Sequence, residues 1–144
     1  MDTCQNIYKS SRSHAGFTQE SAADFLHIAP RTLGSYETGA AQVPDEIADK
    51  MIELYKDERL GYLHLMSNPV ARRYLPEIDQ KSLSQAALYL ICTSSNYQAL
   101  QAKMMMMCSD GKIEGAEESD WKSVRCAIDK LIEAAFVMKF AKAD

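Results

Sequence analysis

Residues 16–44 read GFTQESAADFLHIAPRTLGSYETGAAQVP, and the punctuation of this stretch decides the fold. Thr18 precedes Gln19-Glu20-Ser21, so its hydroxyl is an N-cap and the acid meets the positive end of the helix dipole. Ala22, Ala23, Phe25 and Leu26 give the helix that follows an apolar face, ending near Leu26. Pro30 opens a second helix, because proline is favoured at the first helical position. Leu33 and Tyr36 fall at i, i+3 on one face of it, and Gly39 supplies a left-handed C′ residue. Two short helices joined by about three residues is helix-turn-helix geometry.

Working outward, 144 residues with 47% hydrophobic and 25% charged side chains are enough for a folded core. A net charge of −4 and a pI of about 5.4 exclude a binder that relies on bulk positive charge. No apolar run approaches the roughly 18 residues needed to span a bilayer. The opening MDTCQNIYKSSR lacks the apolar core of a signal peptide, so a cytoplasmic protein is expected. Val, Ile and Thr nowhere alternate at length with polar residues, and the class is all-α. Pro69 and Pro76 mark residues 67–80 as a connector between residues 1–66 and 81–144. Residues 1–66 hold six Lys or Arg against ten Asp or Glu, and six of those acids lie at 45–58.

Cys4, Cys92, Cys108 and Cys126 form no CxxC pair, and His14, His27 and His64 do not cluster with them. No metal and no cofactor are expected; the thiols read as reduced and mostly buried. There is also no nucleophile–base motif and no phosphate loop, so an enzyme is not expected.

The 16–44 segment resembles the Cro/C1-type helix-turn-helix family of phage repressors and Xre-like bacterial regulators. Thr18-Gln19-Glu20, Ala23, Ile28, Leu33, Tyr36-Glu37-x-Gly39 and Pro44 carry the likeness, which spans about residues 5–66. The resemblance implies a five-helix lambda-repressor-like DNA-binding domain whose partner is a double-stranded DNA operator. Its second motif helix would enter the major groove. Pro30, Arg31, Thr32 and Ser35 would then face base edges, and Arg31 alone can grip guanine O6 and N7 with two hydrogen bonds. Lys9, Gln19, Thr38, Gly39 and Ala40 would hold phosphates. Glu37 would pair with Arg12 on the first helix. The sequence departs from the family at four places. His27 fills the usual glycine of the turn, Ala29 replaces a Ser or Thr N-cap, Ala22 stands where leucine is usual, and the loop Ala40-Ala41-Gln42-Val43 has none of the lysines that the family often sets against phosphate.

Residues 45–57 read as a fourth helix with Ile47, Met51, Leu54 and Tyr55 inward, and a fifth lies near Glu58–Leu65. Further on, Ala86, Leu90, Thr93, Tyr97, Leu100, Met104 and Met107 follow a heptad seam and predict one helix over 82–108. Trp121, Val124, Ile128, Leu131, Ala135 and Met138 predict another over 119–141, with Ile132, Phe136 and Phe140 as a second apolar stripe. Two stripes need two partners, one of them a second copy of the chain, so a homodimer is expected. The 109–117 loop resembles the middle of an EF-hand at Asp110, Gly111, Ile113 and Glu117. The ligand places at Met106 and Cys108 offer no hard oxygen, so it reads as a hairpin turn. Met104–Met107 read as packing residues. The sequence leaves open an antitoxin-type regulator with a protein partner, or a helix-turn-helix interaction module that no longer binds DNA.

Overall fold

The computed structural model describes residues 6–109 and 111–142. Among them the chain is all-helical, with eight α-helices and one 3-10 turn at Ala71–Arg73. The chain divides into two compact units, one ending at Arg72 and the next beginning at Arg73.

The first unit holds α1 (Ile7–His14), α2 (Gln19–Phe25), α3 (Pro30–Glu37), α4 (Asp45–Tyr55) and α5 (Glu58–Leu65). Local chemistry sets each boundary. Asn6 caps α1 by accepting from Tyr8 N and Lys9 N, and Thr18 caps α2 by accepting from Ser21 N. Pro30 is the first residue of α3, whose N-cap Ala29 makes no side-chain bond. Asp57 caps α5 by accepting from Leu60 N, and its other oxygen accepts from Ser11 Oγ on α1 at 2.6 Å. Left-handed backbone occurs at Gly16, Gly39, His27 and Lys56; His27 has φ 55° and turns the chain between α2 and α3. Lys56 ends α4 in the same conformation, a position the sequence did not mark.

The core of this unit gathers Ala22, Ala23, Leu26, Leu33, Ala48, Met51 and Leu60, with Tyr8 and Tyr55 at its edge. Ala22 and Ala23 are fully buried, which lets α3 approach α2 closely. Phe25, expected inward, is 62% exposed and lies edge-on to Phe17 at 5.8 Å. Leu26 takes the inward place, because only one of two adjacent residues at the end of a helix faces the core. Ala48 is buried where the sequence pointed to Ile47 and Leu54, both half-buried. Tyr8 Oη and His64 Nδ1 lie 2.7 Å apart, and His64 Nε2 lies 2.9 Å from Asp45 Oδ1, so this chain links α1, α5 and α4.

The second unit holds α6 (Leu83–Gln98), α7 (Gln101–Met107) and α8 (Glu117–Lys139). The single helix expected over 82–108 is broken. Leu100 N bonds Tyr97 O at 3.0 Å, three residues back instead of four, and α7 starts afresh. The run Thr93-Ser94-Ser95-Asn96 just before the break is poor in helix propensity, because its side chains compete for the backbone. Ser82 and Gln85 form a capping box at the start of α6, and Leu83 N donates to Lys142 O at 3.0 Å beyond α8. Tyr89 Oη donates to Glu133 Oε1 across the helix pair at 3.0 Å.

The inward row of α8 is also corrected. Val124, Ala134 and Val137 are buried, whereas Ala135 and Trp121 of the expected row are exposed. The expected second stripe thins out, with Ile132 at 41% exposure. The methionine run splits: Met107 is buried, while Met105 and Met106 are 77% and 72% exposed. The expectation of mostly buried thiols fails for Cys92, Cys108 and Cys126, which are exposed. Cys4 and Asp110 lie outside the described residues. A cavity of about 490 Å³ between α6 and α8 has Thr93, Leu100, Ser123 and Cys126 in its wall. No helix among the described residues is long and apolar enough to cross a membrane.

Candidate nucleic-acid interface

The site is built around a buried ion pair. Arg12 on α1 donates through Nε to Glu37 Oε1 at 2.6 Å and through Nη2 to Glu37 Oε2 at 3.0 Å. Its third edge, Nη1, donates to Phe17 O at 2.8 Å. Gln19, opening α2, donates its amide to Glu37 Oε2 at 3.1 Å. Only 9% of Arg12 and 5% of Glu37 are exposed, so this two-pronged bond is shielded from water. The Glu37 hydrogen bond raises the Arg12 pKa above its ordinary value, outweighing the opposing effect of burial. Asn6 adds a further tie by donating to Tyr36 O at 2.9 Å. The ends of α1, α2 and α3 are therefore held together by charge-assisted bonds as well as by packing.

Over this clamp lies a concavity of about 710 Å³ lined by α1, α2 and α3. It brings together six of the nine residues expected at base edges or phosphates: Lys9, Gln19, Pro30, Arg31, Ser35 and Thr38. Thr32, half-buried, and Gly39 and Ala40, exposed, are not in its wall. Lys9 and Arg31 are exposed and have no ion-pair partner among the described residues. The acids of α4 do not line the concavity, so its two free cations are not neutralised within it.

Several side chains are already engaged. Ser35 Oγ donates to Arg31 O at 3.0 Å, and Thr38 Oγ1 donates to Gly34 O at 2.9 Å. Either hydroxyl must rotate away from its own helix to donate to a ligand. Gly34, which the sequence did not single out, lines the concavity; a Cβ there would stand 3.4 Å from the Gln19 amide nitrogen. At that distance a Cβ would be in ordinary contact with a flexible side chain, so space alone does not account for glycine here. Among the described residues no group of three or more His, Cys, Asp or Glu side chains is placed to hold a metal.

No protein-family model matches the chain, and no curated protein or solved structure is significantly similar to it.

Proposed function

We propose that the first unit is a five-helix Cro/C1-type DNA-binding domain and that the protein regulates transcription by binding an operator as a homodimer. One observation carries the reading: α1, α2 and α3 pool Lys9, Gln19, Arg31 and Ser35 in one concavity, over a buried clamp that fixes their relative positions. In this reading α3 lies in the major groove, where Arg31 grips a guanine and Pro30, Thr32 and Ser35 meet neighbouring edges. Lys9, Gln19, Thr38 and the Gly39–Ala40 backbone meet phosphates. Two free cations per unit are few for one duplex contact, which favours two units on half-sites about one helical turn apart.

The test begins with selection of bound sites from random DNA. Affinity is then measured for the selected site and for scrambled DNA at several salt concentrations. Arg31→Ala is expected to weaken the selected site by roughly 1–3 kcal/mol per half-site and to relax preference at one base pair. Lys9→Ala is expected to weaken both DNAs alike and to reduce the salt slope by about one counterion per site. Absence of any selected site would favour an interaction module that does not bind DNA. Equal losses for Arg31→Ala on both DNAs would place Arg31 on phosphate and leave specificity to Thr32, Ser35 or DNA shape.

A further inference from the structure

Helix α6, LSQAALYLICTSSNYQ, contains no Asp, Glu, Lys, Arg or His in its 16 residues. Its inward side is Ala86, Leu90, Thr93 and Tyr97, facing α8. At about 100° per residue, the opposite side is Ser84, Leu88, Ile91 and Ser95. Leu88 is 64% exposed and Ile91 61% exposed, and both serines are exposed. The neighbouring helix is different. The outer side of α8 shows Glu118, Arg125 and Asp129 to water, as a solvated helix does.

The outer side of α6 is also symmetric in sequence. Ser84, Leu88, Ile91 and Ser95 are spaced 4, 3 and 4, centred between Tyr89 and Leu90. Reversing the helix about that centre exchanges Ser84 with Ser95 and Leu88 with Ile91. Small faces small and branched aliphatic faces branched aliphatic. Such a stripe is complementary to itself in an antiparallel pair related by a two-fold axis. Charge points the same way. A two-fold contact sets like groups near one another, and a stripe without charge brings no repulsion and strands no ion. The Ser95 hydroxyl already donates to Ile91 O at 3.0 Å, so covering it leaves no donor unmade.

We infer that the outer face of α6 is the self-association surface, and that its occupant is α6 of a second copy, antiparallel and crossing near Tyr89–Leu90. The inference rests on the dimeric reading above and gives the dimer its geometry, placing it on α6 instead of the Ile132–Phe140 stripe. A helix of 16 residues is about 24 Å long, and a contact one helix wide falls below the ~800 Å² per partner of a standard interface. The pair should therefore form in the micromolar range, tight enough to be reinforced when both units hold one duplex.

The test uses the full chain without DNA, so that failure of the dimer is read separately from failure to bind an operator. Sedimentation from about 5 to 200 μM is expected to show a monomer–dimer equilibrium. Leu88→Asp and Ile91→Asp, both at exposed positions and checked for unchanged helicity, should each weaken it at least tenfold. Register is read by cross-linking. In a background with the native cysteines changed to serine, Ser84→Cys and Ser95→Cys chains are treated with a bismaleimide spanning about 8 Å, near the interaxial distance of packed helices. The mixture should cross-link and neither variant alone should. A chain that stays monomeric, a dimer indifferent to both aspartates, or Ser84→Cys chains that cross-link to themselves would each overturn the inference.

Discussion

Arg12 and Glu37 show how a single pair can do structural service for a surface. Both prongs of the guanidinium are used, its third edge is held by Phe17 O, and Glu37 has a second donor in Gln19. Arg12→Met is expected to cost about 3–5 kcal/mol, because it leaves a buried carboxylate without its cation and with two donors fewer. Arg12→Met with Glu37→Gln is expected to cost less than the sum of the two singles, measured by urea denaturation. A double-mutant cycle without coupling would show that the geometry carries no net energy. Tyr55 lies beside this pair and gives a second expectation. Its hydroxyl is buried with no hydrogen-bond partner among the described residues. Tyr55→Phe is therefore expected to stabilise the first unit by about 1 kcal/mol. Burial first, and the Glu37 charge second, push its pKa up from 10.0 to about 12. The unfolded chain loses this proton near pH 10 while the folded chain keeps it. Stability should then be intact below that pH and fall as pH rises towards about 12. Thermal melts across that window should show a shallower fall for Tyr55→Phe than for the native chain. The pairing of residues 12 and 37 came from the resemblance, whereas nothing in the sequence showed that Tyr55 would lose its hydrogen bond.

At the scale of the element, the turn between α2 and α3 carries two local costs. His27 is left-handed at φ 55°, where a side chain is unfavourable, and Ala29 leaves α3 without a side-chain cap. His27→Gly is expected to gain roughly 0.5–1 kcal/mol and Ala29→Ser about 1 kcal/mol, both read as increases in Tm. A lower Tm for Ala29→Ser would mean that the serine cannot reach the first turn of α3. These boundaries were legible because Thr18, Pro30 and Gly39 act within a few residues of themselves. The helix expected over 82–108 was misread for the opposite reason. Its heptad seam continues unbroken through Leu100, and apolar spacing reports burial without testing the backbone bonds. The weak run Thr93–Asn96 was the available signal of the break at Leu100. On α8 the pattern placed Val124 inward correctly but missed by one residue further along, at Ala135 instead of Ala134, since alanine is small enough to sit on either side.

At the scale of the whole molecule, each unit has its own interior. The core of the first is made entirely of residues between Tyr8 and Leu60. A fragment ending at Arg72 is accordingly expected to fold cooperatively, to sediment as a monomer and to bind DNA more weakly than the full chain. A fragment that is unfolded by circular dichroism would show that the first unit depends on the second. By itself the sequence determined the helical class, the cap at Thr18, the start at Pro30, the stop at Gly39 and the run of short helices up to Leu65, because these follow from interactions along the chain. Tertiary structure decided the rest. It sealed Arg12 and Glu37 from water, gathered Lys9, Gln19 and Arg31 into one concavity, and turned Phe25, Leu88, Ile91 and three cysteines outward. The physical reason is that which side of a helix is covered depends on neighbours far away in the chain, and periodicity names a side without naming what lies against it.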